Sequence, residues 1–307
     1  MDSVLRFLPR KLSLPFDILP TDIRSNIEEI RIRIGKPIEV SVSGQPIFLS
    51  VYVSEEDALQ LINNLSQFSF YTLDEELKRG YITIQGGHRV GLAGKVILEN
   101  GRVKAIREIS SFNIRIAREK IGVAHHILPY LYTNHWRHTM IIGPPQTGKT
   151  TLLRDLARVV STGYEKLDIP PRKVGIVDER SEIAGCVKGV PQLQFGHRVD
   201  VLDGCPKAEG MMMLIRSMSP DVLIADEIGR EEDADSVLEA ANAGIKLMIT
   251  THGASLEEIK SRPTIKKILD LKIFERFIEL RREETSGLIS TVFDHMGNNL
   301  MVEMDVT

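Results

Sequence analysis

The sequence predicts an α/β chain of two domains: a smaller α+β domain over residues 1–119 and a domain built on a parallel sheet over residues 120–307. Three observations predict it. The first part carries short stretches that alternate apolar and polar residues with period two, such as Ile30, Arg31, Ile32, Arg33 and Ile34, separated by breaks rich in Gly, Pro and Asn. The second part carries short, nearly continuous apolar runs that end in polar residues, with segments of helical spacing between them. The chain has 307 residues, enough for two separate cores.

Taken in order, residues 22–29 predict a short polar helix and 30–34 a strand. Gly35, Lys36 and Pro37 break that strand, and 38–42 and 47–53 predict two more joined at Ser43 and Gly44. Ser54 is placed as an N-cap, with Asp57 at the reciprocal capping position, for a helix whose apolar face is Leu59, Ile62 and Leu65. A further short helix is expected over 73–79. Strands follow over 81–85, 88–98, 103–109 and 113–117, with Asn100 and Gly101 as a tight turn. Arginines punctuate these strands at Arg89, Arg102, Arg107, Arg115 and Arg118. Two readings stay open for them: a solvated strand face, or one or two guanidinia that reach the triphosphate site of a neighbouring subunit.

The second part turns on Gly143, Pro144, Pro145, Gln146, Thr147, Gly148, Lys149, Thr150 and Thr151. Gly, four residues, Gly, Lys and Thr is the phosphate-binding loop pattern, and here it lies between an apolar run and a helical segment over 151–160. Glycines let backbone N–H groups approach phosphate oxygens, and the helix N-terminus adds positive potential. Lys149 would reach the β- and γ-phosphates of ATP, and the Thr150 hydroxyl would bind Mg²⁺. A strand over 173–177 ends at Asp178, Glu179, Arg180, Ser181 and Glu182. Residues 189–204 predict a loop, and 208–218 a helix whose methionines fill a core or an interface. The apolar strand 221–225 runs into Asp226 and Glu227, an ending suited to holding the Mg²⁺ shell and activating water. A helix over 231–243 with Gly244 as its cap precedes a strand over 247–251 that ends at His252, placed to contact the γ-phosphate. Strands over 274–281 and 288–293 and a loose end over 298–307 complete the chain. Residues 121–132 are expected to bridge the halves and help cover the nucleotide, and His125 and His126 read as surface or capping residues before they read as ligands.

Composition excludes several classes. With 42% hydrophobic and 26% charged residues the chain is that of a soluble globular protein, with neither an apolar run of membrane-spanning length nor a secretory signal at its start. Two cysteines, Cys186 and Cys205, make no disulfide framework, and a reducing cytoplasm is the expected home. Residues 1–119 hold 16 Lys+Arg against 15 Asp+Glu, a balance of +1, and the remainder holds 23 against 27, a balance of −4. Neither part has the basic bias of a dedicated nucleic-acid binder.

These four motifs resemble the RecA-like ATPases of type II and type IV secretion and of type IV pili. The phosphate loop matches at Gly143 to Thr150, the acidic box at Val177 to Glu182, the Walker B run at Ser219 to Arg230, and the His box at Thr250, Thr251 and His252. Three positions depart: Arg180 stands where those proteins carry proline, Asp226 where Gly is common, and Gly253 follows His252. The first half matches the pilus motors only loosely. Across both halves, through segments 31–38, 86–94, 106–117, 143–158, 177–184 and 262–270, the chain resembles the stage III sporulation branch, the secretion-type ATPases of endospore-forming bacteria. The resemblance implies a RecA-like P-loop ATPase domain, Mg²⁺-dependent ATP hydrolysis and a homo-hexameric ring. It also implies a place at the cytoplasmic base of a membrane secretion or channel complex, on the mother-cell side of a channel to the forespore. Within it, Glu227 is expected to activate water and Glu179 and Glu182 to assist. Thr150 and Asp226 would serve the metal, and Arg107 or Arg115 would complete the site from a neighbouring subunit. Two competing readings stay open: an ATP-dependent single-stranded nucleic-acid binder, opposed by 6% aromatic content, and a non-hydrolysing nucleotide-gated scaffold, opposed by Glu227.

Overall fold

The computed structural model describes residues 1–66, 80–283 and 287–301. The chain divides into two compact units: Met1–Arg118 with Gly185–Lys188, and Glu119–Ala184 with Gly189–Thr307. Among the described residues no helix is long and apolar enough to cross a membrane. The helix expected over 73–79 and residues 302–307 of the expected loose end lie outside the described residues.

The first unit opens with α1 (Asp2–Leu5), α2 (Arg10–Asp17) and α3 (Thr21–Asn26), followed by β1 (Ile27–Arg33), β2 (Pro37–Val42), β3 (Gln45–Tyr52) and α4 (Glu55–Ser66). After them come β4 (Tyr81–Ile84), β5 (His88–Glu99) and β6 (Arg102–Arg115). The six strands form one antiparallel sheet in the order β3-β2-β1-β6-β5-β4. Period two decides its faces: Ile30, Ile32 and Ile114 are fully buried, while Arg31 and Arg33 turn out to Glu29 and Glu39. Pairing overrides the helix expected over 22–29. That helix stops at Asn26, because Ile27 pairs with Val42 and its side chain is buried in the sheet core.

The capping box of α4 forms as read: Ser54 N donates to Asp57 Oδ2 at 2.8 Å and Asp57 N donates to Ser54 Oγ at 3.1 Å. Its apolar face is offset by one residue. Ala58, Leu61 and Leu65 are buried, and Leu59 is 60% exposed. The strands expected over 103–109 and 113–117 are one strand, β6, bent at an irregularity opposite Gly94 where Glu108 takes φ +45°. A Cβ on Gly94 would lie 2.6 Å from the carbonyl oxygens of Arg107 and Glu108, so only glycine admits this close approach.

The second unit contains α5 (Leu128–Leu131), β7 (Thr139–Gly143), α6 (Lys149–Thr162), β8 (Val174–Asp178), β9 (Val199–Asp203), α7 (Lys207–Ser217) and β10 (Val222–Ala225). It continues with α8 (Glu231–Asn242), β11 (Lys246–His252), α9 (Leu256–Ser261), α10 (Pro263–Asp270), β12 (Arg276–Glu283) and β13 (Gly287–Asp294). Its sheet runs β13-β12-β7-β11-β10-β8-β9, parallel throughout except for the β12–β13 hairpin. Alternate residues of each central strand enter different cores. Ile141, Ile176, Ile224 and Met248 pack with α5 and α6, while Met140, Ile142, Leu223 and Ile249 pack with α7 to α10. Helices on both faces explain why these strands are buried on both sides and mostly apolar.

One expectation is corrected in this unit. Residues 199–203, read within a loop, form β9, an edge strand parallel to β8. Its residues are only half-buried and two of the five are aspartates, which hides the strand pattern. The 121–132 segment contributes buried Ala124, Ile127, Leu128 and Leu131 to the core beneath α6. His125 packs its ring 4.7 Å from Tyr164, and His126 Nε2 lies 2.6 Å from Ser290 Oγ.

Candidate active site

Four neighbouring strands of the second sheet, β7, β11, β10 and β8, carry the polar residues read from the sequence, all at their carboxyl ends. That end is where open parallel sheets present ligand sites. The turn from β7 into α6 requires left-handed backbone at Gln146 (φ +64°) and Gly148 (φ +82°). Gly143 is needed for room: a Cβ there would lie 2.5 Å from Thr147 Oγ1. Thr147 Oγ1 donates to the Pro144 carbonyl at 2.7 Å and ties the loop across its base.

Lys149 is the first residue of α6 and is 6% exposed. Its ammonium donates to the carbonyls of Gly143 and Pro144, both at 2.8 Å, and to His252 Nδ1 at 3.2 Å. Burial holds it below the usual lysine range, against the raising effect of Asp226 and Glu227. Lysine can only donate, so His252 Nδ1 accepts and Nε2 carries the proton. That Nε2–H faces Glu227 Oε1 at 2.9 Å. The other oxygen of Glu227, Oε2, is 2.6 Å from Arg180 Nη1. Lys149, His252, Glu227 and Arg180 therefore form one continuous polar chain across β7, β11, β10 and the loop after β8.

Asp226 anchors the neighbouring position. Its Oδ2 accepts from Thr150 Oγ1 at 2.6 Å, and its Oδ1 accepts from Thr250 Oγ1 and, at 3.0 Å, from Glu227 N. Thr250 Oγ1 in turn accepts from Glu227 N at 2.8 Å. These bonds hold Glu227 at φ +56°, a conformation costly for a residue with a Cβ and common where a site must aim a side chain. Among the described residues no group of three or more His, Cys, Asp or Glu could hold a metal by itself. Magnesium asks less of a protein when phosphates supply most of its oxygens, and a threonine hydroxyl beside a carboxylate is a fitting pair of hard donors.

The acidic segment after β8 is organised by Asp178, which is 2% exposed and accepts from the N–H groups of Glu182 (2.8 Å), Ile183 (3.0 Å) and Ala184 (2.8 Å). Burial raises its carboxyl to about 6 in spite of these donors. Arg154 on α6 closes the loop onto the phosphate-loop helix, donating to the Ile183 carbonyl at 2.7 Å and the Glu182 carbonyl at 2.6 Å. Glu179 pairs with Lys207, and Arg230 stands 3.8 Å away. Burial raises the Glu179 carboxyl, but these cations more than offset it and hold it below the usual carboxylate range. Asp178, Glu179, Arg180, Glu182, Lys207, Asp226 and Glu227 line one small crevice.

Of the residues singled out in the sequence, Gly143 to Thr151, Glu179, Glu182, Asp226, Glu227 and His252 thus belong to one end of one sheet. Arg107 and Arg115 belong to β6 of the first unit, where Arg107 stands opposite Lys95 and the exposed Arg115 lies 3.9 Å from Glu29. Sequence reasoning missed Arg154 and Lys207, and it named Thr250, Asp178 and Arg180 within its motifs without giving them a role. Arg180 alone left a signal, as the departure from proline in the acidic box.

A sequence model of the family described as sporulation stage III, protein AA, matches residues 17–300, across both units. The chain belongs to this family. Its likeness to the stage III sporulation protein AA of Bacillus subtilis (strain 168) is 55% identity over 300 residues, spanning 98% of this chain and 97% of that protein. A more distant relative of this sporulation protein AA family member is the uncharacterized protein ycf45 of Porphyra purpurea. That one is 26% identical over 276 residues, covering 88% of this chain and 43% of the relative. Among solved structures, the pilus retraction motor PilT with bound ADP superposes with TM-score 0.61 at 16% identity, covering 88% of this chain and 80% of that one. The ATPase DotB of Legionella pneumophila gives 0.56 at 18% identity, covering 88% and 77%. At such identities these structures establish a shared fold, that of DotB and PilT with their N-terminal domain and C-terminal RecA-like domain.

Proposed function

We propose that this sporulation protein hydrolyses ATP with Mg²⁺ and acts as a ring-shaped, homo-hexameric motor. It would work at the cytoplasmic face of a membrane complex, on the mother-cell side of the channel to the forespore. One observation carries the chemistry: the phosphate-loop lysine, a Thr–Asp pair and a Glu–His pair meet at the ends of adjacent parallel strands. The family membership and the motor fold of the solved neighbours support the biological setting.

In this reading the backbone of residues 143–150 cradles the phosphates. Lys149 leaves the Gly143 and Pro144 carbonyls for phosphate oxygens, a more strongly charged set of acceptors. Thr150 and Asp226 would hold the magnesium, which when bound would neutralise phosphate charge. Glu227 takes the proton of the attacking water, and His252, fixed between Lys149 and Glu227, couples the base to the phosphate loop. Glu179 and Glu182 shape the acidic side of the crevice. Arg107 or Arg115 of an adjacent subunit supplies charge from outside.

Phosphate release by the purified full chain, with and without EDTA, tests the reading. Metal-dependent ATP turnover that disappears in Lys149→Ala supports it. Nucleotide binding without turnover would leave a gated scaffold instead. Tight, steeply salt-dependent binding of single strands without turnover would favour the nucleic-acid reading.

A further inference from the structure

Five described cations stand around the acidic crevice, and three of them are tied into the fold by their side chains. Lys149 sits on its own loop's carbonyls, and Arg154 bridges two carbonyls of the acidic segment. Lys207 is 6% exposed against Glu179. Arg230 offers its backbone N–H to Asp233, while its side chain is exposed and stands 3.8 Å from Glu179, away from Glu227. Arg180 differs. Its side chain is 55% exposed, and its ion pair goes to the carboxylate placed to activate water, at 2.6 Å. With His252 on the other oxygen at 2.9 Å, both oxygens of Glu227 are engaged, one by a full positive charge. With both oxygens occupied, neither is turned to an incoming water.

We infer that Arg180 reads the terminal phosphate within its own subunit, gripping Glu227 while no triphosphate is present and moving its guanidinium to the γ-phosphate when ATP binds. This rests on the ATPase reading above. The terminal phosphate offers three oxygens and more negative charge than one carboxylate, and its geometry suits the planar guanidinium fork. An exposed side chain held by one ion pair can make that exchange at little cost in packing, which Arg154 and Lys207 could not. Release of one Glu227 oxygen leaves it open to face the attacking water. The water oxygen then bonds to the γ-phosphorus as the bond to the bridging oxygen of ADP breaks. The water's proton passes to Glu227 and leaves with inorganic phosphate. ADP lacks the acceptor that draws Arg180 away, so in its presence the grip on Glu227 persists.

The test compares the full-length wild type with Arg180→Ala and Arg180→Lys, measuring affinity for AMP-PNP and for ADP by fluorescence titration, and kcat and KM for ATP. Loss of a charge-assisted contact made only to the third phosphate predicts that Arg180→Ala weakens AMP-PNP binding and lowers kcat, each on the order of tenfold to a hundredfold. ADP affinity should stay within about twofold, and Arg180→Lys should recover part of both losses. Equal weakening of AMP-PNP and ADP would overturn the inference, as would unchanged discrimination between them, whether kcat fell, rose or held. An unchanged melting temperature shows that the exposed substitution leaves the fold intact. Lys149→Ala in the same assays separates the two ideas. If it is inactive while Arg180→Ala is normal, only the role of Arg180 fails; if it is fully active, the ATPase reading itself fails.

Discussion

The two sheets of this chain use charged residues in opposite ways. In the antiparallel sheet of the first unit, charges alternate along the strands and are neutralised where they emerge. Arg31 meets Glu29, Arg33 meets Glu39, and Arg89 lies over the Tyr81 ring at 3.6 Å. In the parallel sheet of the second unit both faces are covered by helices, so functional polar side chains collect at the strand ends. Lys149, Asp226, Glu227 and His252 then fall into bonding distance of one another or of shared partners. Similar residue types are thus spread over a solvated face in one topology and gathered into one polar cluster, the proposed reaction centre, in the other. Strand direction and layer number, more than composition, concentrate the chemistry.

If this contrast holds, removing the phosphate-loop cation should abolish chemistry, while removing a strand-face cation paired within β1, such as Arg31, should barely be felt. Lys149→Ala is expected to lower ATP turnover by on the order of 10²–10³-fold, since it deletes a preorganised donor to developing phosphate charge. Arg31→Ala, by comparison, should change stability by less than about 1 kcal/mol in a denaturant titration.

Acid should strain each unit at one buried histidine. His88 accepts from Ala117 N at 3.0 Å through Nδ1, so its proton sits on Nε2, 2.7 Å from Ser3 Oγ. Burial lowers its pKa to about 4, and burial with Lys246 nearby does the same at His138. A depressed histidine pKa means that the unfolded chain binds the extra proton first. Stability is therefore full above about 6.5 and is lost as pH falls from about 6.5 to about 4, by up to about 3 kcal/mol at His88 before solvent screening is allowed for. Urea midpoints across that range should show the loss, and His88→Gln should flatten part of it.

Glycine substitutions sharpen the comparison further. Gly94→Ala places a methyl against the backbone of Arg107 and Glu108 in β6 and should cost about 1–3 kcal/mol in stability. Gly143→Ala pushes against Thr147 and should instead reduce turnover, because it displaces the phosphate loop itself. Asp57→Ala, which removes the capping box of α4 and its pair with Lys11, should cost about 1 kcal/mol.

The strand-end residues of the second unit were legible in the sequence because each motif is local. Gly143 to Thr150 has fixed spacing, and Asp226, Glu227 and His252 each close an apolar run. The capping pair Ser54 and Asp57 was legible for the same reason. What stayed hidden depends on partners far along the chain. Strand β9 is defined by pairing with β8, β6 continues through a bend fixed by Gly94, and Ile27 is drawn from a helical stretch by Val42. The pairing of Arg180 with Glu227 spans two loops that no spacing rule connects.

The account stands on Glu227 as the group that takes the proton of water. Glu227→Gln keeps the shape of the side chain and removes the base. Single-turnover hydrolysis of ATP by this variant, alongside its ATP affinity, is the direct measurement. ATP binding within a few-fold of wild type and a hydrolysis rate lower by about 10²–10⁴-fold is the result expected for loss of a general base. Hydrolysis at the wild-type rate would contradict the account.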